Sequence, residues 1–389
     1  MMITLQILFW FSVLMIFHSY VFFPFLVKFL ANGKTFNYPE LTHDELPQMS
    51  ILVSAFNEEA VIAEKIESVF KSNYPLDKFE LLIGSDNSDD TTNEIIQSYA
   101  EKHPNLIFNA YSKRRGKQNV VNDLFRLSKG SILILTDANV IFDKNTLLEI
   151  ARPFTDENIG LVDTNMINRG LKKEGISHQE KAYISREVYI KQYESLIWGS
   201  MMGPFGGCYA IRREDYSQVP SNALVDDFYI NMKIFEKGKL SVNNLEAKVY
   251  EDVSNDLKIE LIRKIRIATG NFQNLKWFGH LLWPMNSGVA FTFLSHKVLR
   301  WLGPFFLLMS LISSALLWSS SFYQLAFWVQ LAGFFIPLLD ILLKKLNINS
   351  RLLRFITHFY SMNLALFIGL FRFSRGVKSG IWKVTKRNQ

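Results

Sequence analysis

Apolar residues are concentrated at the two ends of the chain, and the middle alternates short apolar runs with amphipathic stretches. The first long run, from Leu5 to Val27, carries no charge unless His18 is protonated. About 20 apolar residues are enough to cross the hydrocarbon core of a bilayer. A signal peptide would need a basic start and a shorter apolar run, whereas this chain begins MMITLQ. The pattern therefore predicts an uncleaved transmembrane anchor over residues 1–31.

The last third of the chain is also rich in apolar runs, which cover Pro304–Trp318, Ala326–Leu343 and Phe355–Phe371. The stretch before them, Ser287–Leu302, mixes apolar and aromatic residues with basic ones. That mixture is typical of a helix lying in the headgroup layer rather than crossing the membrane. We therefore predict three further regions: an interfacial helix over 286–302, transmembrane helices over 303–373 and a basic tail over 374–389.

Basic residues predict the orientation of these segments, because cytoplasmic loops carry an excess of lysine and arginine. Lys28 and Lys34 follow the first run, so the middle of the chain is expected in the cytoplasm. The tail is basic as well, yet one more crossing would place it outside. Either Phe355–Phe371 is re-entrant or interfacial, or the charge rule fails there, and both interpretations stay open. We expect a multi-pass protein of the cell membrane, specifically a bacterial inner membrane.

The middle of the chain, from about residue 48 to 285, alternates β-rich runs with helical stretches. The predicted strands are Ser50–Phe56, Phe79–Ser85, Leu106–Ala110 and Ser131–Thr136, and the predicted helices between them are Glu58–Ser72, Thr91–His103 and Gln118–Ser128. Nearly continuous apolar strands alternating with helices indicate an α/β domain whose parallel sheet is covered on both faces. Ligands of such sheets bind beyond the carboxyl ends of the strands.

Composition narrows the class of protein. A length of 389 residues allows about two or three domains. Hydrophobic residues make up 49% and charged residues 20%, which excludes a largely disordered chain. The single cysteine excludes an intramolecular disulfide framework and a cysteine-based zinc site. The net charge of +7 fits nucleic acid, a membrane surface or an anionic substrate. Because the basic residues crowd toward the membrane ends and no nucleic-acid motif occurs, we expect no nucleic-acid partner.

Polar clusters follow the predicted strands at Asn57-Glu58-Glu59, Ser85–Asp90 and Asp137-Ala138-Asn139, and the basic run Lys113–Lys117 opens a helix. Each cluster alone is compatible with a capped helix start or a loop. Together at successive strand ends, carboxylates and amides suit a ribose, a base and a divalent cation, and the basic run suits phosphates. The absence of a Walker A sequence and of GxGxxG after a strand argues against P-loop and dinucleotide enzymes.

A series of motifs in a fixed order carries a family resemblance: VSAFNEE, SDNSDDT, RRGKQNVVN, TDAN, GGCYAIRRE, VDDFYI, RKIRIATG, SHKVLRW and WKVTKR. With them, nearly the whole chain resembles membrane-embedded family 2 glycosyltransferases of the GT-A fold. That group includes cellulose, hyaluronan and poly-N-acetylglucosamine synthases. The resemblance implies a Rossmann-like cytoplasmic α/β domain over residues 48–285, with a mostly parallel central sheet, joined to helical transmembrane segments.

The resemblance also implies a nucleotide-sugar site. It implies that Ala55, Asn57 and Glu58 lie on the edge of the nucleotide pocket. It also implies that Asp86 contacts the base or ribose and that Lys117 lies near the donor phosphates. Asp137-Ala138-Asn139 occupies the place of the family's Asp-x-Asp, which implies that Asp137 and Asn139 hold Mg²⁺ or Mn²⁺ on the diphosphate. A hard cation with oxygen ligands stabilises the charge of that leaving group. The amide of Asn139 departs from the family pattern, so Asp143 is an alternative second ligand.

The acidic pair Asp226-Asp227 matches the family's catalytic pair, and the resemblance makes Asp227 the general base. Transfer to a sugar hydroxyl needs a proton removed as the oxygen attacks the anomeric carbon. A single base opposite the leaving group implies inversion of configuration. The alternative interpretation is that the pair only caps a helix beginning near Phe228.

Arg263 and Arg266 match the family's Gln-x-x-Arg-Trp, here Arg-Lys-Ile-Arg-Ile. The resemblance implies that Arg266 meets the diphosphate through its planar fork. Ile267 stands where the family has a tryptophan, which weakens the case for the tight channel of a processive synthase. A basic amphipathic helix on the headgroups is the alternative interpretation of Arg263.

The implied acceptor contact is formed by Phe205, Gly206 and Gly207. Glycine lets a backbone approach a sugar closely. Cys208 follows on an apolar strand, where we expect a small buried side chain rather than a nucleophile.

The function implied by the resemblance is inverting transfer of a sugar from a UDP-sugar to a growing polysaccharide, such as an exopolysaccharide, or to a lipid-linked glycan. The transfer is expected at the cytoplasmic membrane face. Processive and single-addition chemistry stay open. Membrane lipids are expected partners, and accessory export subunits remain open. A catalytically inactive structural or transport subunit of the membrane is the alternative, which the intact Asp86, Asp137 and Asp227 disfavour.

Overall fold

The computed structural model describes residues 1–169, 177–252, 257–346, 348, 350–377 and 380. Most of the predicted basic tail, including Trp382, lies outside the described residues. The chain divides into two compact units. Of the described residues, the helical unit comprises 1–29, 177–183, 257–346, 348 and 350–376, and the sheet unit comprises 30–169, 184–252, 377 and 380.

The strands of the sheet unit are β1 Met49–Ala55, β2 Phe79–Ser85, β3 Leu106–Ala110, β4 Ile132–Asp137, β5 Ile141–Phe142, β6 Ile159–Arg169, β7 Cys208–Arg212 and β8 Leu240–Asp252. The helices are α1 Met2–Phe17, α2 Phe23–Leu30, α3 Ile62–Phe70, α4 Thr92–Ala100, α5 Lys117–Leu127, α6 Thr146–Ala151, α7 Ser177–Trp198, α8 Asp226–Glu236, α9 Leu257–Phe278, α10 Gly288–Thr292, α11 Leu299–Trp301, α12 Gly303–Leu316, α13 Ser321–Lys345 and α14 Arg351–Ser374. Short 3₁₀ segments occupy Leu76–Lys78, Arg152–Thr155, Arg213–Asp215 and Gly279–Leu282.

The eight described strands form one sheet in the order β3-β2-β1-β4-β7-β6-β8-β5. β1 pairs in parallel with β2 and β4, and β2 pairs in parallel with β3. β7 runs antiparallel to both of its neighbours, β4 and β6. In the parallel half, Ala55 stands opposite Ser85, and Ser54 stands opposite Asp137. The ends of β1, β2 and β4 are therefore level, and the residues that follow them share one edge of the sheet.

The parallel strands form because both of their faces are covered. Ile132, Leu133, Ile134 and Leu135 of β4 are all 4% exposed or less. A strand that is buried on both faces has no need of polar alternation, which explains the continuous apolar run in its sequence. The α/β architecture predicted from the sequence is confirmed.

Helix boundaries differ most from the prediction at α3, which begins at Ile62 rather than near Glu58. The residues before it are engaged with the loop that follows β2. The backbone N–H of Glu58 donates to Thr92 Oγ1 at 2.9 Å, and that of Asn57 donates to Ser88 Oγ at 3.1 Å. These bonds fix Asn57 and Glu58 against Ser88 and Thr92, and the regular helix begins only at Ile62.

Among the described residues, three helices are long and apolar enough to cross a membrane: Met2–Leu30, Ser321–Leu343 and Leu352–Ser374. Gly288–Trp301 and Gly303–Leu316 meet the same criteria only as a pair, and they are bent by 60° at the break between them. The bend separates the predicted interfacial stretch from the apolar run after it. The predicted run Pro304–Trp318 therefore lies mainly in the 14-residue helix α12, which is short for a span by itself.

Polar groups also occur inside the helical unit. The π-helical segments His18–Phe22 and Phe293–Val298 approach one another, and His18 Nε2 lies 2.9 Å from Ser295 Oγ. Elsewhere, α14 and α9 pack closely, because a β-carbon added to Gly369 would lie 2.5 Å from Ala268. Small residues allow such close helix contacts.

Candidate functional site

Asp86 follows β2 and organises the basic run of the sheet unit. Its carboxylate accepts hydrogen bonds from the backbone N–H groups of Arg115 at 2.6 Å and Gly116 at 3.0 Å, and from Arg114 Nε at 3.1 Å. Gly116 has a φ of +85°, a conformation that glycine adopts without strain. Asp86 is only 2% exposed. The predicted donor-side carboxylate is thus also the anchor that shapes the segment before Lys117.

Arg114 reaches across the same edge to the end of β1. Its guanidinium carbon lies 3.4 Å from the ring centroid of Phe56, while its Nε is bonded to Asp86. A cation over an aromatic face is attracted by the negative charge of that face. Arg114 therefore links the residues that follow β1 and β2.

Lys117 is the first residue of α5 and reaches the end of β4. Its Nζ lies 2.6 Å from Asp137 Oδ1. Burial alone would lower the pKa of Lys117, but the negative charges of Asp137, Asp226 and Asp227 act against it and raise the pKa overall. One ammonium group therefore lies in the field of three carboxylates. The predicted metal ligand and the predicted catalytic pair are brought to one place.

The loop Phe205–Gly207, which precedes β7, connects the two acidic positions. The carbonyl of Gly207 accepts the backbone N–H of Asp137 at 2.9 Å. A β-carbon added to Gly206 would overlap Asp227 Oδ2, so the absence of a side chain at Gly206 makes room for that carboxylate. Two consecutive residues of the predicted acceptor loop thus contact Asp137 and Asp227. This arrangement needs β7 to run antiparallel beside β4, a direction that local sequence patterns did not predict.

Asp226 and Asp227 form the first turn of α8, as the sequence indicated. The residue at the N-cap position is Val225, whose apolar side chain makes no capping bond. Asp227 Oδ1 accepts the N–H of Phe228 at 2.7 Å. Acidic side chains are favoured at this end of a helix by its dipole. The helix start therefore orients Asp227, and the catalytic role of the pair stays a prediction.

The chemistry of the predicted metal ligands is compatible with a hard cation. Asp137 supplies a carboxylate, and Asn139 Nδ2 donates to Glu251 Oε1 at 3.2 Å. Over the described part of the chain, no group of three or more His, Cys, Asp and Glu side chains could hold a metal ion. One carboxylate and one amide fit an ion that takes its remaining ligands from phosphate oxygens and water, as Mg²⁺ usually does.

The alternative second ligand, Asp143, is engaged elsewhere. Its Oδ1 accepts the N–H of Asn145 at 3.1 Å, and Tyr250 Oη lies 3.4 Å from Oδ2. These contacts direct the carboxylate toward its own turn and toward β8. Glu251, which the sequence analysis did not consider, is the acidic side chain bonded to Asn139.

Three predicted pocket residues lie where β1 ends. Ala55 is fully buried, and its carbonyl accepts the N–H of Asp86 at 2.8 Å. Asn57 has a φ of +54° and exchanges two hydrogen bonds with Asp89, at 2.6 and 3.1 Å. The backbone of Glu58 is tied to the loop after β2. The described contacts hold two loops together, and the roles of these residues at a nucleotide stay predictions.

Arg263 and Arg266 belong to α9 of the helical unit. Arg263 Nη1 lies 3.4 Å from Glu260 Oε1, and Glu260 is 1% exposed. The role of both arginines at a diphosphate stays a prediction.

Lys65 of α3 is a buried charged residue that the sequence analysis missed. Its Nζ donates to Val140 O at 2.6 Å and to Thr136 Oγ1 at 2.9 Å, and it lies 3.6 Å from the Phe142 ring centroid. Burial lowers the pKa of Lys65 to about 7. Because Thr136 and Val140 flank Asp137-Ala138-Asn139, these two hydrogen bonds of Lys65 hold both ends of the turn Thr136–Val140, the Asp137 turn. The sequence signal for a buried lysine is the position of Lys65 among the apolar residues on one side of α3.

Cys208 is fully buried at the start of β7. Burial raises the pKa of its thiol to about 12. A thiol that stays protonated is a poor nucleophile. The prediction of a buried, unreactive cysteine is confirmed as far as its burial is concerned.

Comparison with known proteins agrees with this geometry. Residues 50–219 match the family model described as Glycosyl transferase family 2. The chain is 28% identical over 165 residues to a β-monoglucosyldiacylglycerol synthase of Trichormus variabilis, and this alignment covers 42% of this chain and 35% of that protein. It is 27% identical over 147 residues to a poly-β-1,6-N-acetyl-D-glucosamine synthase of Staphylococcus aureus, covering 38% and 34%. The alignments thus span about a third of the length of these relatives.

The fold resembles that of a mannosyltransferase from Pyrobaculum calidifontis, solved in complex with GDP-mannose and Mn²⁺. The similarity covers 96% of this chain and 97% of the other, with a TM-score of 0.71 and 18% sequence identity. At that identity the match shows the fold, and it confirms the predicted GT-A class.

Proposed function

We propose, from the match of residues 50–219 to the glycosyl transferase family 2 model, that the chain is an inverting glycosyltransferase of the cytoplasmic membrane face. It moves a sugar from a UDP-sugar to a saccharide or a lipid-linked acceptor. The observation that supports this most is Lys117, whose ammonium lies 2.6 Å from Asp137 and in the field of Asp226 and Asp227. A site with cationic and anionic groups so close suits a substrate that carries both an anionic diphosphate and a hydroxyl proton to be removed.

The donor binds along the level ends of β1, β2 and β4. Asp86 and the segment after Arg114 meet the base or ribose, and Ala55, Asn57 and Glu58 border the same pocket. Lys117 lies beside the diphosphate, where a fixed ammonium stabilises negative charge that grows as the glycosidic bond to the diphosphate breaks. Arg263 and Arg266 are proposed as further diphosphate contacts.

Asp137 and Asn139 would hold a divalent cation, Mg²⁺ or Mn²⁺. When bound, the ion neutralises charge on the leaving diphosphate. Lys65 keeps the turn between Thr136 and Val140 in place for these two side chains. With a single carboxylate in this set, the ion would take its remaining ligands from donor phosphates and water.

Asp227 acts as the general base. Its Oδ1 is held by the N–H of Phe228, and its Oδ2 faces Gly206 in the predicted acceptor loop. An acceptor hydroxyl that lies along this loop can give its proton to Asp227 while its oxygen attacks the anomeric carbon. Attack from the side opposite the diphosphate inverts the configuration at that carbon.

The acceptor is proposed to be lipid-linked or a growing polysaccharide. One relative is named for a glycolipid product and the other for a polymer, which supports both classes. The three described helices that are long and apolar enough to cross a membrane support catalysis beside a bilayer. Single addition and processive synthesis are separated by the product: one shifted lipid band or a ladder.

The test uses the purified full chain in lipid nanodiscs with UDP-glucose, UDP-N-acetylglucosamine, UDP-galactose and UDP-glucuronate, each with and without Mn²⁺. GDP-mannose is added as a donor with another base. We expect nucleoside diphosphate release with one UDP-sugar, dependent on the cation and absent in Asp227→Asn. Release only from GDP-mannose would overturn the choice of base. No release from any donor would favour an inactive structural or transport subunit.

A further inference from the structure

Asp163 and Lys191 form a buried ion pair inside the sheet unit, and neither residue belongs to a motif identified in the sequence. Asp163 lies in β6, and Lys191 lies in the part of α7 that belongs to the same unit. Their side chains are 0% and 6% exposed, and Lys191 Nζ lies 2.5 Å from Asp163 Oδ2. Removing two charges from water costs free energy that their mutual attraction often only balances. A purely stabilising role would be served as well by apolar residues of similar size.

The hydrogen bonds of Asp163 indicate another role. Its Oδ1 accepts the backbone N–H of Phe205 at 2.7 Å and that of Thr164 at 2.9 Å. Its Oδ2 accepts Lys191 Nζ and, at 3.2 Å, Asn243 Nδ2. The four acceptor positions of the carboxylate are thereby filled. Asp163 has no capacity left for a ligand, and its bond to Phe205 ties the interior of the sheet to the acceptor loop.

The Phe205–Gly207 loop is held at its other end as well. The carbonyl of Gly207 accepts from the N–H of Asp137 and from Thr136 Oγ1, both at 2.9 Å. Gly206, which lies against Asp227, is therefore flanked by two residues whose backbones are held by hydrogen bonds, Phe205 and Gly207. Its distance from Asp227 depends on both anchors.

Helix α7 contributes further anchors to the segment that leads into this loop. Glu194, which is fully buried, accepts the backbone N–H of Met202 at 2.9 Å. Ser195 Oγ accepts the N–H of Asn243 at 2.8 Å, and Asn243 in turn contacts Asp163. The buried pair is thus part of a polar layer that links β6, β8 and α7 beneath the loop.

We propose that the Asp163–Lys191 pair is a positioning device: it fixes the Phe205–Gly207 loop against Asp227 and so sets the placement of the acceptor hydroxyl at the base. The pair touches neither substrate. This inference rests on the proposed glycosyltransferase function and deepens it. A carboxylate is suited to the task because one rigid group accepts several backbone N–H groups at short distance, and Lys191 compensates its charge.

The test separates anchoring from charge burial by removing both charges in two different ways. Asp163→Asn with Lys191→Met keeps an oxygen that can accept the N–H of Phe205. Asp163→Leu with Lys191→Met is equally uncharged and removes that acceptor. Both variants avoid an uncompensated buried charge, so neither carries the penalty of a single substitution. Should the leucine variant not fold, Asp163→Ser with Lys191→Met replaces it, since a serine hydroxyl is too short to reach Phe205.

Three quantities are measured on the full chain: hydrogen exchange of the peptide containing the Phe205 amide, kcat, and KM for donor and acceptor. For the variant without the acceptor oxygen, we expect Phe205 exchange at least about tenfold faster than wild type. We also expect kcat to be lower by about 10- to 100-fold, because misplacing a reacting group by about 1 Å can lower the rate by such a factor. The donor KM should stay within about twofold of wild type. The asparagine variant should stay within about threefold of wild type in exchange and in kcat.

Two results would overturn the inference. One is wild-type exchange at Phe205 in the leucine or serine variant, which would mean that the bond does not hold the loop. The other is faster exchange without any change in kcat or acceptor KM, which would mean that the loop position does not matter for transfer. If the wild-type chain transfers no sugar at all, the proposed function has failed, whereas the exchange measurement still decides whether Asp163 anchors the loop.

Discussion

The donor edge of the site and the loop beside Asp227 are constructed in opposite ways. The donor edge consists of charged side chains that directly follow strands, and Asp86 shapes it through bonds to its own neighbourhood of the sheet. The Phe205–Gly207 loop has no charged side chain. Its position comes from Asp137, Asp163 and Asp227, which belong to β4, β6 and α8. The charged side chains of the motifs can therefore depend for their placement on a loop that has no charged side chain of its own.

The same difference between the donor edge and the Phe205–Gly207 loop is seen in two single residues, Asp86 and Asp163. Both are almost fully buried carboxylates, and each accepts two backbone N–H groups. Asp86 stands at a strand end within a recognisable motif, whereas Asp163 lies inside β6, between Val162 and Thr164. The two carboxylates fix the two sides of the site by one physical device, multiple charge-assisted bonds to the backbone.

The largest effect is expected at the base itself. Asp227→Asn should lower kcat by about 10²- to 10⁴-fold, because an amide cannot take the proton of the acceptor hydroxyl. Thermal unfolding should change little, since the amide oxygen can still accept the backbone N–H of Phe228. Asp226→Asn is the matched comparison and should cost less. A variant Asp227→Asn that transfers sugar at the wild-type rate would refute the assigned base.

The next effect tests the loop side without touching a charge. Gly206→Ala should lower kcat by roughly 10²-fold, because the added β-carbon would overlap Asp227 Oδ2 and displace the carboxylate. Since a carboxylate can rotate away, the unfolding temperature should remain near that of wild type. Gly279→Ala, whose β-carbon would meet nothing within 4 Å, is the control. Equal kcat for both variants would show that the contact with Gly206 does not position Asp227.

A smaller effect is expected on the donor side. Asp86→Asn should raise the donor KM by about tenfold while kcat changes little, because an amide nitrogen cannot accept the N–H groups of Arg115 and Gly116. The donor KM is measured by nucleotide release. Asp123→Asn removes a charge beside Arg115 without touching this backbone and serves as the control. Similar KM values for the two variants would contradict the anchoring role of Asp86.

The last prediction concerns stability and its pH dependence, rather than the rate of transfer, at the turn between Thr136 and Val140. Because burial lowers the pKa of Lys65 to about 7, we expect the folded chain to lose this proton near pH 7, whereas the unfolded chain keeps it to about pH 10.5. Between these values the unfolded state binds more protons, so the contribution of Lys65 to the free energy of unfolding rises with pH. The rise is about 1.4 kcal/mol per pH unit. Lys65→Met should remove it.

The measurement compares thermal unfolding of wild type and Lys65→Met from pH 7 to 9. The stability of wild type relative to the variant should increase with pH. Lys71→Met removes an exposed lysine of the same region and should leave the pH dependence unchanged. A constant difference between wild type and Lys65→Met would show that Lys65 keeps its proton throughout this range.

Much of the sheet was predictable because its strands are buried on both faces. Phe79–Ser85 and Leu106–Ala110 agree with the structure at both ends, and Asp86, Asp137 and Asp227 appeared in motifs before their contacts were known. The predicted start of α3 at Glu58 was wrong: the regular helix begins at Ile62, after two residues whose N–H groups bond to Ser88 and Thr92. The antiparallel direction of β7 was missed, since strand direction leaves no local pattern. Lys65 was missed because burial of a lysine depends on acceptors that only the folded sheet supplies.

The amino-acid sequence by itself determined the alternation of strands and helices, the apolar ends and the identity of the charged groups at the strand ends. Those features depend on which side chains must leave water and which must stay in it, and that is a local property. Only the tertiary structure decided that Gly206 lies against Asp227, that Lys65 supports the Asp137 turn and that Asp163 holds Phe205. These contacts join residues 21, 75 and 42 positions apart. They form because closing the sheet brings backbone N–H groups and carboxylates into an interior where each must find a partner.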